Sequence, residues 1–286
     1  MLRREKTRLY SGANGNKIGI IYENINYMLK FPPKPNKNPE MSYTNSCISE
    51  YVSCKIIETL GLNVQKTLLG KYKDKIVVAC KDFEEEKFKL LDFASLKNSV
   101  VDSETGGNDT ELTEVLFTIN NQNKIKQEKL IEFFWDMFIA DTLLANYDRH
   151  NGNWGILLNK NTKEFEIAPI YDCGSCLFPQ NTDDEFEIIL KNKSEMENRI
   201  FSSPRSSFNK KGRRINYFTL LTTTDNQDCL KSLKKIHSRI DMDKINKIIE
   251  ETPYITDIHK LFLKTIIKAR KEKILDKALE INKNFQ

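Results

Sequence analysis

The sequence predicts an α+β fold with two lobes: a small, β-rich amino-terminal lobe with one key helix at residues 1–83, and a larger, mostly helical lobe at residues 84–286. Two observations predict this division. The first part contains two β-hairpin patterns around a single helical pattern. After it, apolar residues recur mainly at helical spacing, above all toward the carboxyl end. A chain of 286 residues is long enough to bury a core in such a fold.

The amino-terminal elements follow from short-range patterns. Two apolar runs within Ile18–Phe31 flank the turn-forming pair Glu23-Asn24, which predicts a hairpin. A proline-rich connection follows, which excludes helix. Apolar residues at every fourth position predict a helix over Ser46–Leu60. The β-rich runs Val64–Leu69 and Lys75–Cys80, on either side of a polar turn, predict a second hairpin.

The second lobe begins with weak signals. The stretch Phe83–Gln127 is expected to be largely helical around a glycine-bearing loop. Glu128–Asn146 is apolar nearly all round, which predicts a helix buried at the centre of the lobe. Trp154–Leu158 and Phe165–Ala168 are expected to pair as a hairpin, and amphipathic helices are expected from Leu230 onward.

Composition excludes several classes of protein. Hydrophobic residues make up 39% of the chain, which excludes disorder for most of its length. The net charge of +5 is mild and its signs are interspersed. Six sparse cysteines favour free thiols in a reducing compartment. No Sec-type signal and no membrane span are expected, so the default location is the cytoplasm. Nothing in the sequence itself indicates export into host cells, and that alternative location would follow only from a resemblance to an exported relative.

Residues with catalytic potential gather in the loop after the buried helix. Asp148, His150 and Asn153 lie in this loop, and Asp172 follows the next hairpin. Because a hairpin runs out and back, its two ends lie close together. An amide oxygen and a carboxylate brought together there form a hard-oxygen site suited to Mg²⁺. The sequence therefore predicts that Asn153 and Asp172 hold Mg²⁺ while Asp148 stays free of the metal.

This distribution matches the needs of phosphoryl transfer from ATP. The reaction uses a carboxylate to orient and deprotonate the acceptor hydroxyl, and oxygen ligands to hold the metal. Asn153 follows Asp148 by five positions, as in the kinase catalytic-loop template. Asp172-Cys173-Gly174 then takes the place of the metal-binding D-F-G. Asp, Asn and Gly also form ordinary turns, which would explain either segment alone. Both segments in this order favour the catalytic interpretation.

The first lobe offers the complementary groups. Lys30 ends a predicted strand, and Glu50 lies 20 residues further on in the predicted helix. A lone strand lysine or helix glutamate is usually solvated, so their joint order carries the prediction. A glycine-bearing stretch with Lys17 nearby precedes both, and it would be a plain turn if it stood alone. Its residues are Ser11, Gly12, Ala13, Asn14 and Gly15.

Together these segments resemble the HipA-like serine/threonine kinases. The resemblance runs motif by motif from about Ser11 to Asp172 and includes Tyr27–Pro32, Ser49–Tyr51 and Leu60–Leu62. The catalytic loop is also similar to that of the phosphoinositide 3- and 4-kinases.

The resemblance implies a bilobal, protein-kinase-like fold that uses ATP and Mg²⁺, phosphorylates an unidentified protein substrate and phosphorylates itself. It implies that Asp148 is the base, that Lys30 paired with Glu50 contacts the phosphates, and that His150 lines the site. The expected nucleotide-binding residues are Ser11, Gly12, Ala13, Asn14, Lys17, Lys30, His150 and Tyr171. The backbone of Cys80 to Phe83, which includes Lys81, is expected to form the adenine hinge.

The chain departs from the toxin members of the family in two ways. The domain of about a hundred residues that precedes their phosphate loop is expected to be absent, which makes an antitoxin partner doubtful. Their autophosphorylated serine would fall on Leu9 here, and Ser11 is the nearest replacement. Self-inhibition is therefore expected to be weak or differently placed.

Two other function classes stay open. A phosphoinositide-type lipid kinase would use the same loop chemistry, and a nucleotide-binding module without catalysis would share the fold. The presence of Lys30, Asp148, Asn153 and Asp172 favours an active enzyme, and the family resemblance favours a protein acceptor.

The segment Arg205–Arg214 is the densest basic cluster. It could contact an acidic substrate or a nucleic acid. Only one aromatic residue interleaves its charges, so the preferred interpretation is a solvated, mobile loop, and no nucleic-acid partner is expected.

Overall fold

The computed structural model describes residues 3–4, 17–36, 41–84, 87–101 and 104–283. Its amino-terminal part is a five-stranded antiparallel sheet with strand order β1-β2-β3-β5-β4. The strands are β1 (Arg3–Arg4), β2 (Lys17–Tyr22), β3 (Ile25–Lys30), β4 (Thr67–Tyr72) and β5 (Lys75–Lys81).

The first predicted hairpin is confirmed. Glu23 and Asn24 both have positive φ, 49° and 62°, as a two-residue turn between twisted strands requires. The predicted helix is α1 (Ser46–Thr59), which ends before Gly61 with φ 71°. The second hairpin starts later than predicted, because Val64 forms an isolated bridge to Ile170 of the other lobe instead of joining β4.

A second sheet lies next to the catalytic loop. It has the order β6-β7-β8, with β6 (Phe88–Asp92), β7 (Gly155–Asn159) and β8 (Phe165–Ile167). The β7-β8 hairpin was predicted, whereas β6 falls in a stretch expected to be largely helical. Two helices do form later in that stretch, so the expectation was wrong only at β6. β6 is half-buried without clean alternation, and its partner β7 lies far along the chain, so no local pattern marks it.

Helices form most of the remaining chain. They are α2 (Phe93–Val101), α3 (Leu112–Asn121), α4 (Gln127–Leu144), α5 (Asp183–Lys191), α6 (Lys193–Glu197), α7 (Tyr217–Thr223), α8 (Gln227–His237), α9 (Met242–Glu251), α10 (Asp257–Arg270) and α11 (Lys277–Lys283). A 3₁₀ turn spans Asn151–Asn153, and π-helical turns span Asn198–Ser202 and Lys271–Asp276. In the described parts of the chain, no helix is long and apolar enough to cross a lipid bilayer.

The main core surrounds α4, as its all-round apolar pattern predicts. Phe134, Trp135 and Phe138 on this helix are buried. The same core includes Ile48 and Val52 of α1, so the helix that carries Glu50 is packed against the larger lobe. The α+β fold with a small sheet-rich lobe and a helical remainder is therefore confirmed.

The basic segment is not the solvated loop that the sequence favoured. It contains a short hairpin of β9 (Asn209–Lys210) and β10 (Arg213–Arg214). Phe208, directly before the hairpin, is fully buried against Phe134 and Phe138. This aromatic anchor is why the charged segment adopts a fixed structure.

The second sheet is tightly packed around Gly155, the first residue of β7. A Cβ added there would lie 2.3 Å from the carbonyl oxygen of Leu91, so Gly155→Ala requires a backbone shift. We expect this substitution to lower the free energy of unfolding by about 1–3 kcal/mol in urea denaturation. Gly70→Ala is the matched control, because no atom lies within 4 Å of its added Cβ. Equal stability of the two variants would contradict this packing.

Candidate active site

A cleft of about 1170 Å³ lies between the amino-terminal sheet and the catalytic loop. Its polar and charged lining comes from separate parts of the chain that the fold brings together. The predicted site residues that line it are Lys17, Lys30, Glu50, Phe83, Asp148, His150, Asn153, Tyr171 and Asp172.

Lys30 stands at the centre of a three-residue charge network. Its Nζ lies 3.0 Å from Glu50 Oε2 and 3.1 Å from Asp172 Oδ1. The side chains of Lys30 and Glu50 are 12% and 2% exposed, so this pair is shielded from water. Burial lowers the pKa of Lys30, but the carboxylates of Asp172 and Glu50 outweigh it and hold the pKa well above its usual range. The lysine is therefore a fixed positive charge in the cleft.

Glu50 also connects the helix α1 to the segment Asp172-Cys173-Gly174. Its second oxygen, Oε1, accepts a hydrogen bond from the backbone N–H of Cys173 at 3.0 Å. An added Cβ at Gly174 would lie 3.2 Å from Glu50 Oε2, so the glycine of the D-x-G segment leaves room for the Glu50 carboxylate. The predicted lysine–glutamate pair thus extends to the backbone beside Asp172.

Asp172 is the most acidic group of the site. The ammonium group of Lys30 outweighs the cost of burial and lowers the pKa of Asp172 to about 2. Its backbone lies in the left-handed region with φ 57°, and its side chain is 40% exposed toward the cleft. A strained residue held as a carboxylate at a cleft is typical of a functional site.

The catalytic loop is built by its own hydrogen bonds. The helix α4 ends at Ala145 with φ 55°, and Asn146 Oδ1 then accepts from the backbone N–H of Asp148 at 3.0 Å. His150 caps the following 3₁₀ turn, because its Nδ1 accepts from the N–H of Gly152 at 3.0 Å. These contacts fix where the Asp148 side chain leaves the backbone.

The carboxylate of Asp148 is half-buried and accepts no hydrogen bond from any residue that the structure describes. Burial raises its pKa, the charge of His150 opposes this rise, and the nearby Asp172 carboxylate adds to it. An unpaired carboxylate with a raised pKa can accept a hydrogen bond from an incoming hydroxyl. This matches the predicted role of a base.

Asn153 lines the cleft, and its side-chain amide is held by one hydrogen bond. Its Nδ2 donates to the backbone carbonyl of Asp148 at 2.7 Å, and this bond fixes the direction of the amide. Its Oδ1 accepts no hydrogen bond within the described parts of the chain. The amide oxygen of Asn153 and the second oxygen of Asp172 thus offer hard donors in the cleft. These donors fit Mg²⁺, which would neutralise phosphate charge when bound.

A buried ion pair supports the loop from behind, and the sequence predictions missed it. Arg149 Nε donates to Asp141 Oδ2 at 3.0 Å, and both side chains are at most 2% exposed. The guanidinium also donates to the backbone carbonyls of Asn153, at 2.8 Å, and of Tyr171. Arg149 therefore holds the backbone of one proposed metal ligand, Asn153, and of Tyr171, the residue directly before the other. The available signal was Asp141, an acidic residue within the otherwise uncharged run 137–144 of α4.

The apolar part of the cleft suits a purine base. The ring centroids of Phe83 and Tyr171 lie 5.4 Å apart. Tyr171 Oη donates a hydrogen bond to the carbonyl of Gly152 at 3.1 Å. Lys81 does not line the cleft. Its backbone N–H donates to Lys66 and its carbonyl accepts from Gln65 Nε2 at 3.0 Å, so only the Phe83 end of the predicted hinge faces the cleft.

The predicted phosphate loop, including Ser11, Gly12, Ala13 and Asn14, lies outside the described residues. Lys17 begins β2 directly opposite Lys30 in the strand register, and it lines the cleft. The charge of Lys17 also lowers the pKa of Asp172, although less than that of Lys30.

Comparisons with known proteins identify the family of this chain. A sequence profile described as the HipA-like C-terminal domain matches residues 4–252. The serine/threonine-protein kinase CtkA of Helicobacter pylori strain J99 is 54% identical over 270 residues, which are 94% of this chain and 83% of that protein.

Solved structures agree as well. The crystal structure of a Helicobacter pylori proinflammatory kinase CtkA has a TM-score of 0.93 and 53% identity over 97% of this chain and 94% of that one. HipA of Shewanella oneidensis MR-1, solved with HipB and operator DNA, has a TM-score of 0.60 and 13% identity over 98% of this chain and 74% of that one, which shows a shared fold alone. The family resemblance is confirmed: the chain belongs to the HipA-like family.

Proposed function

We propose that this HipA-like protein is an active serine/threonine protein kinase that transfers the γ-phosphate of ATP in the presence of Mg²⁺. The observation that carries the proposal is the meeting of Lys30, Glu50, Asp148, Asn153 and Asp172 in one cleft. The CtkA relative is named a serine/threonine-protein kinase, which supports a hydroxyl acceptor on protein.

Each residue has a part in the transfer. Lys30, held by Glu50, binds the phosphates of ATP through its fixed positive charge. Asn153 and Asp172 hold Mg²⁺ through their free oxygens. Asp148 accepts the proton of the attacking hydroxyl, a contribution of about 10²–10⁴ in rate.

The rival classes keep the same site but differ in the acceptor. A phosphoinositide-type kinase would place the phosphate on lipid, and a non-catalytic module would bind ATP without transfer. We favour transfer because the base, the lysine and both candidate metal ligands are all present. We also propose autophosphorylation, with Ser11 as the first position to examine.

The experiment is incubation of the protein with γ-labelled ATP and Mg²⁺, together with a mixture of unphosphorylated proteins and phosphoinositide vesicles. We expect label in the protein fraction on serine and threonine, as read by phosphoamino-acid analysis. Phosphotyrosine as the main product would show that the acceptor is tyrosine rather than serine or threonine. Label found only in the organic extract would show that the protein is a lipid kinase. ATP binding without any transfer would overturn the proposal. Peptide mapping of the labelled chain shows whether Ser11 is modified.

A further inference from the structure

The hairpin formed by β9 and β10 carries four exposed cations that the proposed reaction does not use: Lys210, Lys211, Arg213 and Arg214. None of the four forms a salt bridge with another residue in the described ranges. Most other lysines of the carboxyl-terminal helices lie beside a carboxylate. The hairpin is therefore a concentrated positive surface whose four charged side chains are free of ion pairs with other described residues.

The hairpin is held in place rather than free in solvent. Phe208 and Ile215 at its two ends are buried, and the N–H of Ile215 donates to the carbonyl of Phe208 at 2.8 Å. At the turn, the carboxylate of Glu111 accepts from the backbone N–H groups of Lys211 and Gly212 at 3.0 and 3.1 Å. A fixed backbone presents the four cations with little loss of chain entropy on binding.

The same segment is joined to the catalytic loop. Ser207 Oγ donates to the carbonyl of Tyr147 at 2.9 Å, directly before Asp148 in the chain. This bond places the segment that bears the four cations next to the loop that carries Asp148.

We propose that this hairpin binds acidic side chains that flank the phosphorylated residue of a protein substrate. The inference rests on the proposed kinase function and adds a substrate class to it. Arginine pairs with carboxylates through two parallel hydrogen bonds, and unpaired cations lose no existing partner when such a segment binds. A nucleic acid would also be attracted by charge, but the segment's aromatic residue, Phe208, is buried and offers no face for base stacking.

The test compares two peptides of equal length, each with one serine, flanked by glutamates in one and by glutamines in the other. We expect the wild-type protein to phosphorylate the glutamate peptide with a kcat/KM on the order of tenfold higher. Lys210→Glu/Arg213→Glu changes two cations that face each other in the hairpin register and leaves Arg214 in place. This variant should lose the preference through KM and keep its rate on the glutamine peptide.

The matched control reverses two other exposed lysines, Lys160 and Lys163, in the turn between β7 and β8. That turn lies at the far end of β7 from the catalytic loop, and a five-residue strand spans roughly 16 Å. Lys160→Glu/Lys163→Glu should keep the wild-type preference. Loss of preference in this control would show a general charge effect and overturn the proposal.

Binding of a fluorescent glutamate peptide, followed by anisotropy, separates this inference from the proposed function. Transfer to neither peptide would count against the kinase, while weaker binding by the hairpin variant alone would still support the docking surface. Equal wild-type rates on both peptides would overturn the inference and leave the kinase intact. If oligothymidine of equal charge displaced the labelled peptide at lower concentrations than the unlabelled glutamate peptide does, the hairpin would be a nucleic-acid site. That result would overturn the proposal of an acidic protein substrate.

Discussion

Asp148→Asn should reduce phosphoryl transfer by about 10²–10⁴-fold and leave ATP binding almost unchanged. The side chain of Asp148 holds no other described residue in place, so its replacement removes the proton acceptor and little else. Asn153 binds the backbone carbonyl of Asp148, not its carboxylate, and the substitution preserves that contact. The measurement is a single-turnover rate together with the affinity for a fluorescent ATP analogue.

The control for this prediction is Asp225→Asn, the same chemical change at an exposed position outside the cleft. It should transfer phosphate at the wild-type rate. A wild-type rate for Asp148→Asn as well would show that the base is another group or that none is needed. Loss of ATP binding in Asp148→Asn would instead assign the residue to the nucleotide site.

Arg149→Met should lower the free energy of unfolding by about 3–5 kcal/mol. The substitution leaves the Asp141 carboxylate buried without its main partner. It also removes the donor to the backbone carbonyls of Asn153 and Tyr171. Urea denaturation measures the loss, and a variant that folds at low temperature should also bind ATP–Mg²⁺ more weakly than the wild type.

Arg213→Met makes the same chemical change on the surface and should alter stability by less than about 0.5 kcal/mol. A second comparison isolates the buried charge: Asp141→Leu/Arg149→Met should be more stable than Arg149→Met alone, because it removes the unpaired carboxylate. If Arg149→Met were as stable as Arg213→Met, Arg149 would not support the loop.

The parts of the fold that the sequence predicts are those with local signals. The turn at Glu23-Asn24, the helix α1 and the all-round apolar α4 each depend on residues close together in the chain. Strand β6 and the β9-β10 hairpin were missed, because β6 is fixed by a strand far along the sequence and the hairpin by a buried aromatic anchor.

The residues of the candidate site also divide into those that the sequence pattern identifies and those that depend on distant contacts. The order and spacing of Lys30, Glu50, Asp148, Asn153 and Asp172 were sufficient to expect their meeting in one cleft. Arg149 could not be assigned in this way, because a charged residue inside a loop motif is solvated in most proteins. Its importance depends on Asp141 lying against it across the core.

The central claim is that Asp172, held as a carboxylate beside Lys30, takes part in Mg²⁺-dependent transfer of phosphate from ATP. The most direct measurement is the initial rate of label transfer from γ-labelled ATP as Mg²⁺ is raised, for the wild type and for Asp172→Ala. We predict a saturable rise for the wild type, no transfer with EDTA, and a rate at least about a hundredfold lower for Asp172→Ala. Wild-type transfer by Asp172→Ala, or transfer that persists in EDTA, would contradict the account.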